Sequence, residues 1–414
     1  MAENEQQLYI GIDLNDSYAM ISFATKLHPE PDTVSSVAGS ELFQIPLAVC
    51  YVAQSGQWAY GDEAIRFEKA EMGTCERCLL SRSLERDFVL VQDQTFELRS
   101  LLAVFIKKIL LLAGKLGPKI SFARVVFTFA ALNPKLMELM EFVFAQLPVE
   151  RNRISVMDYK KSFYFYALNQ KDGLSTHDVV LFQYYGKNII CWYLMRAKQS
   201  KPQLVQIVER DCGYLTEQKD NDFADLIPGL FKKKIVSSIY LVGEGFEGGW
   251  MQHSLRVLCQ GRRAFLGKNL FTKGACYAAE IFGGLIPWEY AYMGENEMKF
   301  NISLKVRKNN EMAFHTLISA GENWYEAHTD SEIILDGPGE IDFWLQMPNS
   351  RQARIETLEL TNLPARPRKT TRLRIQAKPL SDRSVRITIT DLGLGEFFKA
   401  SGMIWEHVMK INDR

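Results

Sequence analysis

The sequence has no excess of charge of either sign: 49 basic residues balance 49 acidic ones in a chain of 414. Without a global field to gather polyanions, neither nucleic acid nor an anionic membrane surface is an expected partner. Long apolar runs are also missing. The longest, Leu101 to Leu116, is broken by Lys107 and Lys108, falls short of the ~18–20 residues of a membrane span, and reads as a packed helix. Histidine is scarce, and His28, His177, His253, His315, His328 and His407 show no metal-ligand spacing. No Gly-x-Ser-x-Gly elbow, Ser/His/Asp order or Walker A loop occurs. The 7 cysteines are odd in number and scattered, which predicts reduced thiols packed as small hydrophobes. Cys75-Glu-Arg-Cys78 has no second pair at zinc-finger spacing, so it is a weak metal or redox signal. The acidic, polar start Met1-Ala-Glu-Asn-Glu5 is not basic then apolar, so a cytosolic location is expected, with residues up to Gln7 loose.

What is present is ordinary globular material, 47% hydrophobic and 24% charged, enough to bury large cores. Short apolar runs predict strands at 8–14, 20–25, 46–53, 124–129, 153–157, 178–184, 188–195 and 238–242. Helical patterns lie between them at 98–116, 133–146 and 159–169, the first ending at the turn Gly117-Pro118. This alternation predicts an α/β module over residues 1–289. From Lys299 the pattern becomes strand after strand, as in Asn301-Ile-Ser-Leu-Lys-Val306 and Ser384-Val-Arg-Ile-Thr-Ile-Thr390, predicting a β-sandwich over 297–414. The clusters Lys232-Lys233-Lys234 and Arg366 to Arg374 read as solvated faces. No internal sequence repeat is visible.

The motifs resemble one family when taken in order. Tyr9-Ile-Gly-Ile-Asp-Leu-Asn-Asp-Ser17 resembles the first phosphate-binding hairpin of the actin/hexokinase/DnaK ATPase superfamily, with Asp13 at the strand end. Tyr60-Gly-Asp-Glu-Ala-Ile-Arg66 is similar to the Gly-x-x-Ala-Lys-Arg segment of DnaK-type chaperones, and Asp178 to Lys187 stands where their second phosphate hairpin would be. Gly243-Glu-Gly-Phe-Glu-Gly-Gly-Trp250 resembles their adenosine motif, and Lys273-Gly-Ala-Cys-Tyr-Ala-Ala279 the small-residue helix after it. In the β region, Ile355 to Arg368 is similar to the Leu-x-Gly-Ile-Pro-Pro-Ala-Pro-Arg segment of the chaperone's peptide-binding sandwich, and Thr390-Asp-Leu-Gly-Leu-Gly395 to its glycine hairpin.

The resemblance implies a shortened two-lobed actin-like ATPase fold followed by a lidless β-sandwich. It further implies magnesium at Asp13, ATP or ADP held by Asn15, Asp16, Ser17, Gly186, Gly243 and Gly245, and a catalytic set of Asp13, Asp158 and Arg66. The departures argue against turnover. Ile65 stands where the family has a lysine, Gln183 replaces the hairpin carboxylate, and Tyr184 and Tyr185 precede Gly186 where glycines would let backbone N–H groups reach phosphate. Asp158 stands for a glutamate and, followed by an apolar helix, reads equally as its N-cap. Gly243-x-Gly-x-x-Gly248 follows a strand and, alone, also matches a dinucleotide fingerprint or a structural turn. Trp324, Trp344, Phe314 and Phe343 are candidates for a peptide groove or for core. The expected function is binding or scaffolding of a polypeptide by a pseudo-ATPase; an active ATP-dependent chaperone with a substituted catalytic set is the alternative.

Overall fold

The computed structural model describes residues 6–35, 39–114, 120–171, 173–197, 202–232, 234–350 and 352–411. Of the loose start expected through Gln7, residues 1–5 lie outside the described residues, as do the Gly117-Pro118 turn and Lys233, while residues 6 and 7 already belong to the first strand. Two compact units divide the chain: residues 1–195 with 207–288, and residues 196–206 with 289–414.

The first unit opens with β1 (Gln6–Leu14), β2 (Tyr18–Thr25), β3 (Asp32–Thr33) and β4 (Ile45–Pro46). A small three-stranded sheet follows, made of β5 (Ala48–Val52), β6 (Gln57–Tyr60) and β7 (Thr74–Arg77), with α1 (Asp62–Lys69) between the last two. Next come α2 (Leu79–Glu85), the hairpin of β8 (Phe88–Val91) and β9 (Gln94–Glu97), α3 (Leu98–Gly114), β10 (Ile120–Phe129), α4 (Pro134–Phe144), β11 (Ile154–Asp158) and α5 (Tyr159–Leu168). The later half contains β12 (Asp178–Tyr185), β13 (Asn188–Arg196), β14 (Gln203–Tyr214), α6 (Lys219–Phe231), β15 (Val236–Val242), α7 (His253–Leu258), β16 (Arg263–Leu266) and α8 (Leu270–Phe282).

Two sheets of this unit repeat one plan. The first runs β3-β2-β1-β10-β11, with β1 antiparallel to β2 and parallel to β10, which is parallel to β11. The second runs β14-β13-β12-β15-β16, with β12 antiparallel to β13 and parallel to β15, which is parallel to β16. Each fifth strand feeds a helix, α5 in one half and α8 in the other, and the two helices cross closely. A Cβ on Gly274 would lie 2.1 Å from the Ser162 carbonyl oxygen, and one on Gly11 would lie 2.3 Å from the Cys276 nitrogen. Only glycine permits either approach. The helix crossing is then pinned by Ser162 Oγ donating to the Phe271 carbonyl at 2.5 Å, and α8 is fixed on β1 by Thr272 Oγ1 donating to the Gly11 carbonyl at 3.1 Å. Leu8, Ile10 and Ile12 are wholly buried, and Tyr9 on the opposite face nearly so, as a strand covered on both sides requires.

The expectation of seven reduced thiols is corrected in the small sheet. Cys50 and Cys75 sit opposite one another on antiparallel β5 and β7 and form a disulfide with a Cα separation of 3.9 Å. Cys78, the other half of the Cys-x-x-Cys pair, is a free, exposed thiol.

The second unit takes in the start of β14, Gln203 to Val205, and pairs β17 (Tyr290–Tyr292) with it in parallel. Eight further strands follow: β18 (Asn301–Lys308), β19 (Glu311–Ile318), β20 (Thr329–Leu335), β21 (Glu340–Gln346), β22 (Ala353–Glu359), β23 (Thr371–Ser381), β24 (Ser384–Asp391) and β25 (Ile404–Lys410). They make two antiparallel sheets, β19-β18-β21-β22 and β20-β23-β24-β25. Alternate residues point inward, and Ile302, Leu304, Phe343, Ile375, Ile387 and Ile389 belong to one shared core, the layered arrangement that period-2 patterning produces. Two of the sequence motifs meet at its edge. Arg366 donates to both carboxylate oxygens of buried Asp391 at 2.8 Å each, and Asp391 also accepts from the Gly393 and Ser401 nitrogens at 2.9 Å. Burial opposes ionisation of Asp391, but these donors hold its carboxyl well below the usual range.

Candidate functional site

Asp13, near the end of β1, is fully buried, and so is Thr128, its register neighbour on parallel β10. Tyr159, the first residue of α5, donates its phenol to Asp13 Oδ1 at 2.6 Å and stacks on Phe271 with ring centroids 4.0 Å apart. Asp13 Oδ2 and Thr128 Oγ1 are buried without a hydrogen-bond partner. Burial pushes the Asp13 carboxyl up to about 7, with the Tyr159 hydrogen bond opposing the shift. The phenols of Tyr18 and Tyr159 are pushed up, first by burial and then by the Asp13 charge, and that of Tyr185 is pushed the same way although the residue is 46% exposed. The site is therefore a carboxyl among three phenols, near Glu244, which also raises Tyr185.

Asn15, Asp16, Asp158, Gly243 and Gly245 are engaged elsewhere, while Ser17, Arg66 and Gly186 are exposed. Asn15 Oδ1 accepts from the Ser17 and Tyr18 nitrogens at 2.9 and 3.0 Å, closing the turn, and the Ser17 carbonyl accepts from Leu47 N at 3.0 Å. Asp16 accepts from the Ser81 nitrogen at 2.8 Å, capping the first turn of α2 across 65 residues of sequence. Asp158 accepts from the Lys161 nitrogen at 2.8 Å as N-cap of α5. Arg66 is exposed on α1, while Ile65 packs against the small sheet's core. Gly186 sits at the tip of the β12–β13 hairpin at φ 65° with open space around it. Gly243 and Gly245 make room for Tyr184: a Cβ on either would lie 2.4 Å from its carbonyl oxygen or its ring.

These groups do not fit a magnesium-bound triphosphate. Magnesium prefers ionised carboxylates in an octahedral oxygen shell. Asp13 instead already accepts a phenol proton, and its carboxyl is raised towards neutrality. The hairpin tip at Gly186 is open, but the space beside Gly243 and Gly245 that a nucleotide would need is filled by Tyr184, whose ring packs edge-on against Phe246 at 5.5 Å. Sequence reasoning singled out Asp13 but missed Tyr18 and Tyr159. Their only signal was proximity to Asp13 and Asp158 in the chain.

A second candidate lies in the β unit. The strands β19 and β20 are the ends of their respective sheets. His315 Nε2 and Ser331 Oγ meet at 3.0 Å, and Thr329 Oγ1 donates to the Leu317 carbonyl, tying the two strands at one end. Along the other end runs a groove of about 1420 Å³, lined by Val306, Met312, Ile333, Ile334 and Trp344 with charged residues between them. Met312 is 55% and Ile334 53% exposed. Of the four aromatics considered in the sequence, Trp344 lines the groove and Phe314 packs edge-on against it at 5.3 Å. Phe343 is core, and Trp324 packs partly buried against the same core.

A family model described as "Family of unknown function (DUF5716) C-terminal" matches residues 30–295, well over half of the chain. The chain belongs to the DUF5716 family. Residues 297–411 match a second model, "Domain of unknown function (DUF8552)", so this DUF5716 chain joins two recognised regions between residues 295 and 297. Neither description names an activity. No curated protein matches the chain. No helix among the described residues is long and apolar enough to cross a membrane, and no group of three or more metal-ligating side chains occurs among them.

Proposed function

We propose that this DUF5716 chain is a polypeptide-binding scaffold: a DnaK-related protein whose α/β unit has an actin-like architecture without ATP turnover, and whose β unit holds an extended segment of a partner. The observation that carries the reading is the groove between the free ends of two sheets, with exposed Met312 and Ile334 on its walls. Edge strands present unpaired backbone donors and acceptors, and an extended segment can satisfy them while alternate side chains enter apolar pockets.

The repeated strand plan of the α/β unit, with a helix after each fifth strand, supports the ancestry. The phenol cluster around Asp13 supports the loss of turnover, because it supplies neither the cations nor the open backbone amides that a transferring phosphoryl group requires.

The test is fluorescence anisotropy of a labelled extended peptide with the full-length protein. Saturable binding that Met312→Asp with Ile334→Asp abolishes, with melting unchanged, supports the groove. Binding that survives the double substitution refutes it.

A further inference from the structure

The groove is not electrically neutral in its effect. One wall is the end of β18, where Lys305, Arg307 and Lys308 are all exposed. Among the described residues none of the three forms an ion pair; Lys305 lies 6.0 Å from the Trp344 ring centroid, a weak cation–π distance. Of the four acids on the lining, two are paired with cations of the protein. Glu332 faces Arg372 at 3.4 Å, and Asp336 is approached by both Arg368 and Lys369, at 3.4 and 3.6 Å. Asp342 accepts from Thr357 Oγ1 at 2.6 Å, which leaves Glu340 as the acid with least engagement. The three unpaired cations on the end of β18 thus outnumber the two acids, Glu340 and Asp342, that no described cation answers.

We infer that the groove selects extended segments that carry acidic residues beside their apolar ones. This preference rests on the polypeptide-binding reading given above and adds the chemistry of the partner to it. An extended chain places successive side chains on alternate sides. A segment whose apolar residues meet Ile334 and Trp344 can therefore turn other side chains towards Arg307 and Lys308. Glutamate or aspartate there gains a charge-assisted contact, whereas lysine meets like charge.

The experiment uses the full-length protein and three labelled peptides that share one core of alternating apolar and hydroxyl residues, flanked by glutamate, glutamine or lysine. The inference expects glutamate flanks to bind tightest and lysine flanks weakest, with about a tenfold span from two partly solvated charge contacts. The span should shrink as salt is raised. Arg307→Glu with Lys308→Glu, both exposed and so tolerated by the fold, should reverse the order. Equal binding of the three peptides, or tightest binding with lysine flanks, overturns the preference and leaves polypeptide binding standing. Binding of none of them overturns the polypeptide reading and the preference with it.

Discussion

Asp13→Asn separates a structural carboxyl from a magnesium ligand. The Asp13 carboxyl titrates near 7 in the folded chain, against 3.8 for an unhindered aspartate. A raised folded value means that the folded state binds the proton more tightly than the unfolded state. The stability associated with that proton is whole below about pH 4 and is lost as the pH rises to about 7. At about 1.4 kcal/mol per tenfold change in equilibrium, ionised Asp13 costs folding on the order of 4 kcal/mol above pH 7.

Asparagine removes that cost while its carbonyl oxygen still accepts from Tyr159. Calorimetric melting should therefore show Asp13→Asn more stable than the parent at pH 8, by about 7 °C for a unit of this size. The gain should shrink by roughly 2–3 kcal/mol at pH 5, where the folded parent is already protonated. A variant that melts lower than the parent at pH 8, or a gain that does not change with pH, refutes the burial argument. Loss of a magnesium-dependent ATPase activity in the variant would refute the functional reading as well.

Other consequences can be checked on the same protein. Gly274→Ala drives a Cβ to 2.1 Å from the Ser162 carbonyl and should cost about 3 kcal/mol or more by forcing α5 and α8 apart, read as lost melting temperature. Arg366→Met strands the buried Asp391 charge and should destabilise the β unit by about 3–5 kcal/mol, visible as an earlier urea transition in tryptophan fluorescence. Under non-reducing, denaturing conditions, thiol labelling should count five free cysteines rather than seven; seven would contradict the Cys50–Cys75 bond.

Elements with a strong period of their own were legible. The apolar run of β1, the alternation in β18 and β24, and the helix after Asp158 lie close to where the sequence pattern put them. The Asp158 N-cap could be read because a cap acts on the three residues that follow it. What escaped the sequence depends on partners far along the chain. Asp16 reads as a phosphate-hairpin residue until Ser81, 65 positions away, is seen donating to it. Cys50 finds Cys75 only because short β7, which has no clear pattern, pairs with β5. Gly243 and Gly245 look like a nucleotide loop, and only the placement of Tyr184 shows what fills the space they leave. The repeated sheet plan leaves no sequence repeat because it is a repeat of connectivity. The tyrosines around Asp13 come from the second strand, the helix after β11 and the second hairpin, and no local spacing links them.

The most direct test of the account is the affinity of the full-length protein for a labelled, acid-flanked extended peptide, measured with and without saturating magnesium–ATP. The account predicts one saturable affinity, the same in both conditions and lost in the Met312→Asp, Ile334→Asp variant. A large change in affinity on adding magnesium–ATP, abolished by Asp13→Asn, would contradict it and place a working nucleotide switch in the α/β unit.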